Sequence, residues 1–142
     1  MRPLTVTLLG FYQILRGVTH LLVGLSVLAF SGLAAKVGPF GAEANAMRLF
    51  LTGFGRIAGL IIVVAAIFHF AAGYGLLQMQ NWGRLLTLLF SAVALVLLLP
   101  FLAGLAVPMA FAVINAAIIF YLAVPSIKRA FHDQDKPLGM AA

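Results

Sequence analysis

Hydrophobic positions fall into four long, nearly uncharged runs, at residues 5–33, 49–79, 85–99 and 109–127. A bilayer-spanning helix needs about 20 mostly apolar residues, and runs of this kind read as transmembrane helices. The breaks between them are short. The segment "AKVGPFGAEANAM" (35–47) carries Gly38, Pro39 and Gly41, which predict a polar loop. The segment "QNWGR" (80–84) predicts a turn with Trp82 and Arg84 at a headgroup boundary. The segment "PFLAGLAVP" (100–108) is uncharged and bracketed by Pro100 and Pro108, so it predicts a tight hairpin. The last run ends in "VPSIKRAF", and residues 128–142 form a polar tail expected to be mobile. The pattern predicts an all-α, polytopic membrane protein: one domain over residues 1–142, with four transmembrane helices in a bundle. The second run is too long for one perpendicular crossing, so it tilts or lays its first turns in the interface.

Composition sharpens this picture. Of 142 residues, 64% are hydrophobic and 8% charged, with mean hydropathy +1.16. Soluble domains carry roughly a quarter charged residues, so this chain has too little polar surface to cover a globule in water. Four spans use nearly the whole chain and leave no length for a separate soluble domain. The first run exceeds the about 7–15 residues of a signal-peptide core and reads as a retained helix. There is no cysteine, which removes disulfides and thiolate metal sites. The net charge of +6 is dispersed. It suits anionic lipid headgroups, and no basic cluster is dense enough for nucleic acid.

Charge position predicts orientation. Arg2, Arg84, Lys128, Arg129 and Lys136 fall on one side, and Lys36 and Arg48 on the other. The positive-inside rule then places both termini in the cytoplasm.

Lipid tails are as apolar as leucine, so close packing and polar contacts drive helix pairing in a bilayer. Small and polar positions therefore mark buried faces. The first run carries Gly10, Gln13, Gly17, His20, Gly24, Val27 and Ser31 at steps of three and four, the spacing of a left-handed packing seam. The second carries Gly55, Gly59, Ile62, Ala66, His69, Gly73, Leu76 and Gln80. Counted from the flanking charges, His20 and His69 lie at comparable depth in consecutive antiparallel helices.

Two readings of these histidines stay open. An imidazole is a ready axial ligand for the metal of a planar macrocycle, a (bacterio)chlorophyll or haem b. Ala65, Ala66, Ala72 and Gly73 around His69, and Gly17 and Gly24 around His20, leave room on the helical face that each shares. The same small residues let helices approach, and a buried histidine then bonds a neighbouring carbonyl or hydroxyl. Two histidines without a carboxylate or thiolate beside them make a poor zinc site. Arg16 lies one turn before His20 on the same face, and Arg56 lies nearer the outer interface; neither has an acid close in sequence. Each either snorkels to headgroup phosphates or, for Arg16, meets a lipid phosphate, a cofactor oxygen or an acid on a partner. All three acids, Glu43, Asp133 and Asp135, fall in predicted loops or tail, which argues against a proton-coupled pump. No serine lies in a nucleophile motif, and no histidine has an orienting acid near in sequence. Asn115 reads as interhelical glue.

The stretches "MRPLTVTLLGFYQIL", "GYGLLQMQNWGRLLTLLFS" and "FYLAVPSIKRAF" together resemble the small four-helix bacterial and archaeal membrane proteins grouped as a domain of unknown function. The resemblance rests on the arginine–proline start, the Asn81-Trp82-Gly83-Arg84 turn, and Pro125, Lys128 and Phe131 near the end. It implies the fold and topology and carries no activity.

The expected function is a non-enzymatic accessory or structural transmembrane subunit of a larger photosynthetic or respiratory complex. Its partners would be other transmembrane subunits and membrane lipids, including anionic headgroups. His69, His20 and Arg16 are the candidate cofactor-binding residues, with the two histidines as candidate axial ligands. The alternatives are a freestanding small transporter or channel, which would need a polar path built from Gln13, Arg16, His20 and Asn115, and a bis-histidine haem redox protein.

Overall fold

The computed structural model describes residues 3–36, 41–101 and 106–134. Of these, 96% are helical, and no strand occurs among them. The elements are α1 (Leu4–Lys36), α2 (Gly41–Leu77), α3 (Asn81–Leu98), a short 3₁₀ turn (Leu99–Phe101), α4 (Ala106–Ala123) and α5 (Pro125–Gln134). Four helices are long and apolar enough to cross a membrane: α1, the Asn45–Leu77 part of α2, α3 and α4. The all-α, four-span architecture expected from the hydrophobic runs is therefore present.

Several boundaries differ from those the runs predict. α2 starts at Gly41 rather than near residue 49. The "EANAM" stretch is polar enough to look like loop, yet Ala, Glu and Met are strong helix formers. α3 starts at Asn81, because extended Gln80 already serves as its N-cap residue (φ −83°, ψ 135°). The polar tail expected from residue 128 is helical through Gln134. Pro125 opens that helix at the one position that needs no N–H, and the Lys128 amide donates to the Val124 carbonyl (3.0 Å). Residues 37–40, 102–105 and 135–142, parts of the predicted loops and tail, lie outside the described residues.

Length matters for the spans. At about 1.5 Å per residue, α1 (33 residues) and α2 (37 residues) extend roughly 50 and 55 Å, and α3 and α4 (18 residues each) roughly 27 Å. The hydrocarbon layer is about 30 Å thick, and even a tilt of about 40° leaves α1 longer than that. The ends of α1 and α2 therefore reach the headgroup layers.

Contacts along the chain separate two compact units, residues 15–70 and residues 1–14 with 71–142. In the first, the later part of α1 and the earlier part of α2 pack as an antiparallel pair at backbone distance. A Cβ on Gly24 would lie 3.0 Å from the Gly59 carbonyl oxygen, and one on Gly59 would lie 3.1 Å from the Gly24 oxygen. Seven residues earlier on α1, a Cβ on Gly17 would lie 3.2 Å from the oxygen of Ala66, seven residues later on α2. This small-residue heptad replaces the side-chain layer that holds most helix pairs 8–10 Å apart.

The second unit contains a buried apolar cluster: Val6, Leu76, Met79, Ile118, Leu122 and Phe131, flanked by Leu9, Tyr12, Leu88, Tyr121, Ile127 and Ala130. Gly10 and Gly73 face each other here, each Cβ position crowding the other's carbonyl oxygen at 3.3 and 2.8 Å. α5 is amphipathic. Phe131 is fully buried in the cluster, while Lys128, Arg129 and His132 are exposed. The outward surface of both units is apolar, with Leu8, Phe30, Phe54, Val96 and Phe120 among many exposed side chains, as lipid solvation requires.

Candidate functional site

The two packing stripes are where the sequence places them. Gly10, Gln13, Gly17, Gly24 and Ser31 on α1 are buried, as are Gly59, Ala66, His69, Gly73 and Leu76 on α2. Within the unit of residues 15–70, the stripes bring His20 and His69 together. Their ring centroids are 4.9 Å apart and the ring planes tilted by 44°. His69 is almost fully buried and His20 half-buried.

Local chemistry fixes the state of His20. Its Nδ1 lies 2.8 Å from the Arg16 carbonyl oxygen, one turn back on α1. A carbonyl only accepts, so Nδ1 carries a hydrogen, and in the neutral form of the ring the lone pair then belongs to Nε2. An N–H held by a backbone carbonyl is the arrangement that orients ligating imidazoles. Arg16 is half-buried and acts electrostatically on His69, as does His20. Arg56 is exposed on α2.

A macrocycle sandwiched between the two rings does not fit these residues. The rings are already within contact of one another, and α1 and α2 touch through Gly17–Ala66 and Gly24–Gly59, one on each side of His20 along α1. The small residues near His69 are covered by helix. Gly17 stands over Ala66, and in the other unit Gly10 and Ile14 stand over Gly73. The bis-histidine haem expected as an alternative would have to part these contacts. No cluster of three or more His, Cys, Asp or Glu occurs among the described residues.

The unit of residues 1–14 and 71–142 holds a polar centre that the sequence reading placed at a headgroup boundary. Arg84 is 6% exposed. Its Nε donates to Asn81 Oδ1 (3.0 Å), and a terminal guanidinium nitrogen donates to the Leu122 carbonyl oxygen (3.2 Å). Leu122 lies in the last turn of α4, where carbonyls lose their intrahelical partners and Pro125 supplies no N–H. A cation there also meets the negative end of the helix dipole. Thr87 Oγ1 donates to the Gly83 oxygen (2.9 Å), and Trp82 Nε1 donates to Gln80 Oε1. The signal for this centre was present in the sequence: Arg84, Thr87 and Ser91 recur at steps of three and four, and all three are buried. In α4, Asn115 Nδ2 donates to the Phe111 oxygen one turn back (2.7 Å).

Comparison with known proteins adds no relative. No family model matches the chain, and no curated protein or solved structure matches it significantly.

Proposed function

We propose that the chain is a non-enzymatic accessory transmembrane subunit of a larger membrane complex. One observation carries this reading: four polar side chains within the spans are engaged with backbone carbonyls. His20, Thr87 and Asn115 bond carbonyls of their own helices, and Arg84 joins α3 to the end of α4. Chemistry or transport needs polar groups that converge on a cavity. A groove between α1 and α4, lined by residues such as Leu8 and Ile118, and another between α1 and α2, lined by residues such as Phe30 and Phe54, are almost wholly apolar. Gly32 and Gly53 offer places for a partner. Nothing lies within 4 Å of a Cβ on either, and glycine on a lipid-facing surface lets another helix approach closely. The likeness to four-helix membrane proteins of unknown function belongs with this reading.

A photosynthetic or respiratory host is favoured by a second observation, the Nδ1 bond of His20. It prepares His20 as a single axial ligand to a (bacterio)chlorophyll or haem held from one side. Gentle purification from the native membrane, followed by a native gel and a visible spectrum, tests both ideas. A particle many times the mass of the chain supports the subunit reading, and a small colourless oligomer overturns it. Pigment bands lost in His20→Leu but kept in His69→Leu support ligation at His20; the reverse overturns it.

The charge asymmetry supports a cytoplasmic location for both termini in a bacterial or archaeal cytoplasmic membrane. The absence of cysteine permits a clean test. Ser126→Cys should react with a membrane-impermeant maleimide only after permeabilisation, and Ala46→Cys in intact cells. The opposite pattern would invert the topology.

A further inference from the structure

In the unit of residues 1–14 and 71–142, α1 and α4 leave an apolar groove of about 410 Å³. Thr5, Leu8, Leu9 and Tyr12 line it from α1, and Ile114, Ala117, Ile118 and Tyr121 from α4. Both sets recur at three- and four-residue steps along one helix face, and the two helices run antiparallel: Val6 near the start of α1 shares the buried cluster with Leu122 at the end of α4. Thr5 and Tyr121 therefore mark one end, and Tyr12 and Ile114 the other, roughly 10 Å further along at the helical rise. The groove is apolar and partly open, as a site for a hydrocarbon chain must be.

What lies at its Thr5–Tyr121 end narrows the occupant. Four residues after Tyr121, α5 begins. Its Ile127, Ala130 and Phe131 are packed into the same apolar cluster that Leu9, Tyr12 and Tyr121 flank. That packing turns Lys128 and Arg129 outward as exposed cations, with Asp133 the single acid in the α5 sequence. The same end holds the first turn of α1, whose leading amides lack intrahelical partners and which contains no acid. An apolar groove whose Tyr121 end leads within one short helix to two exposed cations, Lys128 and Arg129, complements one kind of molecule: an amphiphile with a long acyl chain and a negatively charged head.

We propose that this groove is a binding site for one anionic phospholipid. An acyl chain lies between α1 and α4, and the headgroup phosphate lies against Lys128 and Arg129. The site depends on neither a host complex nor a pigment, so it stands independently of the accessory-subunit reading. It also gives α5 a purpose: a docked platform that fixes charge at one depth, where a mobile tail would spread it.

Native mass spectrometry of the full chain, released from nanodiscs with equal phosphatidylglycerol and phosphatidylcholine, tests this proposal. The wild type should retain one phosphatidylglycerol in preference to phosphatidylcholine. In the Lys128→Gln/Arg129→Gln double variant that preference should fall by about tenfold or more, since each cation near the surface contributes on the order of 1 kcal/mol. Ala117→Phe, at an exposed groove position, should lower retention of both lipids. The unfolding midpoint of each variant, followed by circular dichroism, shows whether it is folded; for any that is not, Ala117→Leu replaces the groove variant with the same expectation, and Lys128→Gln alone replaces the double variant with an expected fall of about fivefold. An unchanged preference in the charge variant, or unchanged retention in the groove variant, overturns the proposal. So does a wild-type dimer that Ala117→Phe dissociates, because a second copy of the chain would then fill the groove.

Discussion

Gly83 at the start of α3 lies directly against Gly75 near the end of α2. A Cβ on Gly83 would stand 2.6 Å from the Gly75 Cα and 2.6 Å from the Leu76 nitrogen. The crowding is mutual: a Cβ on Gly75 would stand 2.7 Å from the Gly83 Cα. Both sides are backbone, so no side-chain rotation relieves the clash. Overpacking of ordinary cores costs about 1–3 kcal/mol, and an alanine here should reach the upper end of that range. Gly83→Ala is expected to lower the unfolding midpoint in a detergent–SDS titration sharply. Gly32→Ala and Gly53→Ala, with open space at the Cβ position, should be neutral or up to about 1 kcal/mol stabilising, as alanine outranks glycine in helices. Equal effects at the three positions would show that α2 and α3 do not meet at Gly83.

Arg84 ties the α2–α3 turn to the end of α4, and its geometry predicts a graded response. Arg84→Met leaves Asn81 Oδ1 and the Leu122 oxygen without their donor, each loss costing about 1–3 kcal/mol when buried. Arg84→Lys restores the charge but not the fork that reaches two acceptors at once. Lysine should therefore recover part of the stability lost in Arg84→Met, about half or less. Full recovery would mean that charge at the α4 terminus matters and the fork does not. The same unfolding titration reads the difference.

Which of these features were legible in the sequence follows from the physics of each. Glycines and alanines every three to four residues mark a helix face kept clear for close approach, and in a bilayer a neighbouring helix is its ordinary occupant. The seams through Gly17, Gly24, Gly59 and Ala66 are therefore readable, and so is the comparable depth of His20 and His69, whereas the meeting of their rings is not. The charge of Arg84 was read as a topological marker at a headgroup boundary, since positive residues cluster at membrane edges. The structure puts that charge indoors, because the last turn of α4 has carbonyls to offer and Pro125 leaves them short of donors. α5 was hidden for a related reason: Pro125 and the charges after it look like the end of a helix, whereas Phe131 anchors a new one. The macrocycle site was open in the sequence because a gap and a close contact demand the same small residues. Only the position of the facing helix tells them apart.

Three buried hydroxyls lack a hydrogen-bond partner among the described residues, Tyr12 Oη, Thr52 Oγ1 and Ser91 Oγ. Ser91 is fully buried. Thr87, one turn earlier on the same helix, is buried too but donates to the Gly83 oxygen. An unsatisfied buried hydroxyl costs about 1–3 kcal/mol, whereas a made bond contributes about 1 kcal/mol. Ser91→Ala and Tyr12→Phe should each raise stability by roughly 1 kcal/mol, and Thr87→Val should lower it by a similar amount. A loss of stability in both Ser91→Ala and Tyr12→Phe would show that their hydroxyls have partners.

Met79 poses a contest between backbone strain and side-chain packing, and magnitudes decide it. α2 ends with the Met79 amide donating to the Leu76 oxygen (3.0 Å) and the Gln80 amide to the Gly75 oxygen (2.9 Å). That bond pair is the Schellman termination, whose αL position is usually glycine. Here the position holds Met79 at φ 55°, a conformation that costs a residue with a Cβ about 1–2 kcal/mol. The side chain offsets this cost, because Met79 is 3% exposed and belongs to the cluster of Val6, Leu76, Ile118, Leu122 and Phe131. Deleting a buried methionine side chain costs about 2–5 kcal/mol. Met79→Gly should therefore be net destabilising by about 1–3 kcal/mol despite its relaxed backbone. Met79→Ala keeps the strain and loses most of the packing, so it should be worse than Met79→Gly. That inverted order, glycine above alanine, is the signature of an αL cap, and an unfolding titration of the two variants reads it directly. Alanine more stable than glycine would show that Met79 is not held in the left-handed region.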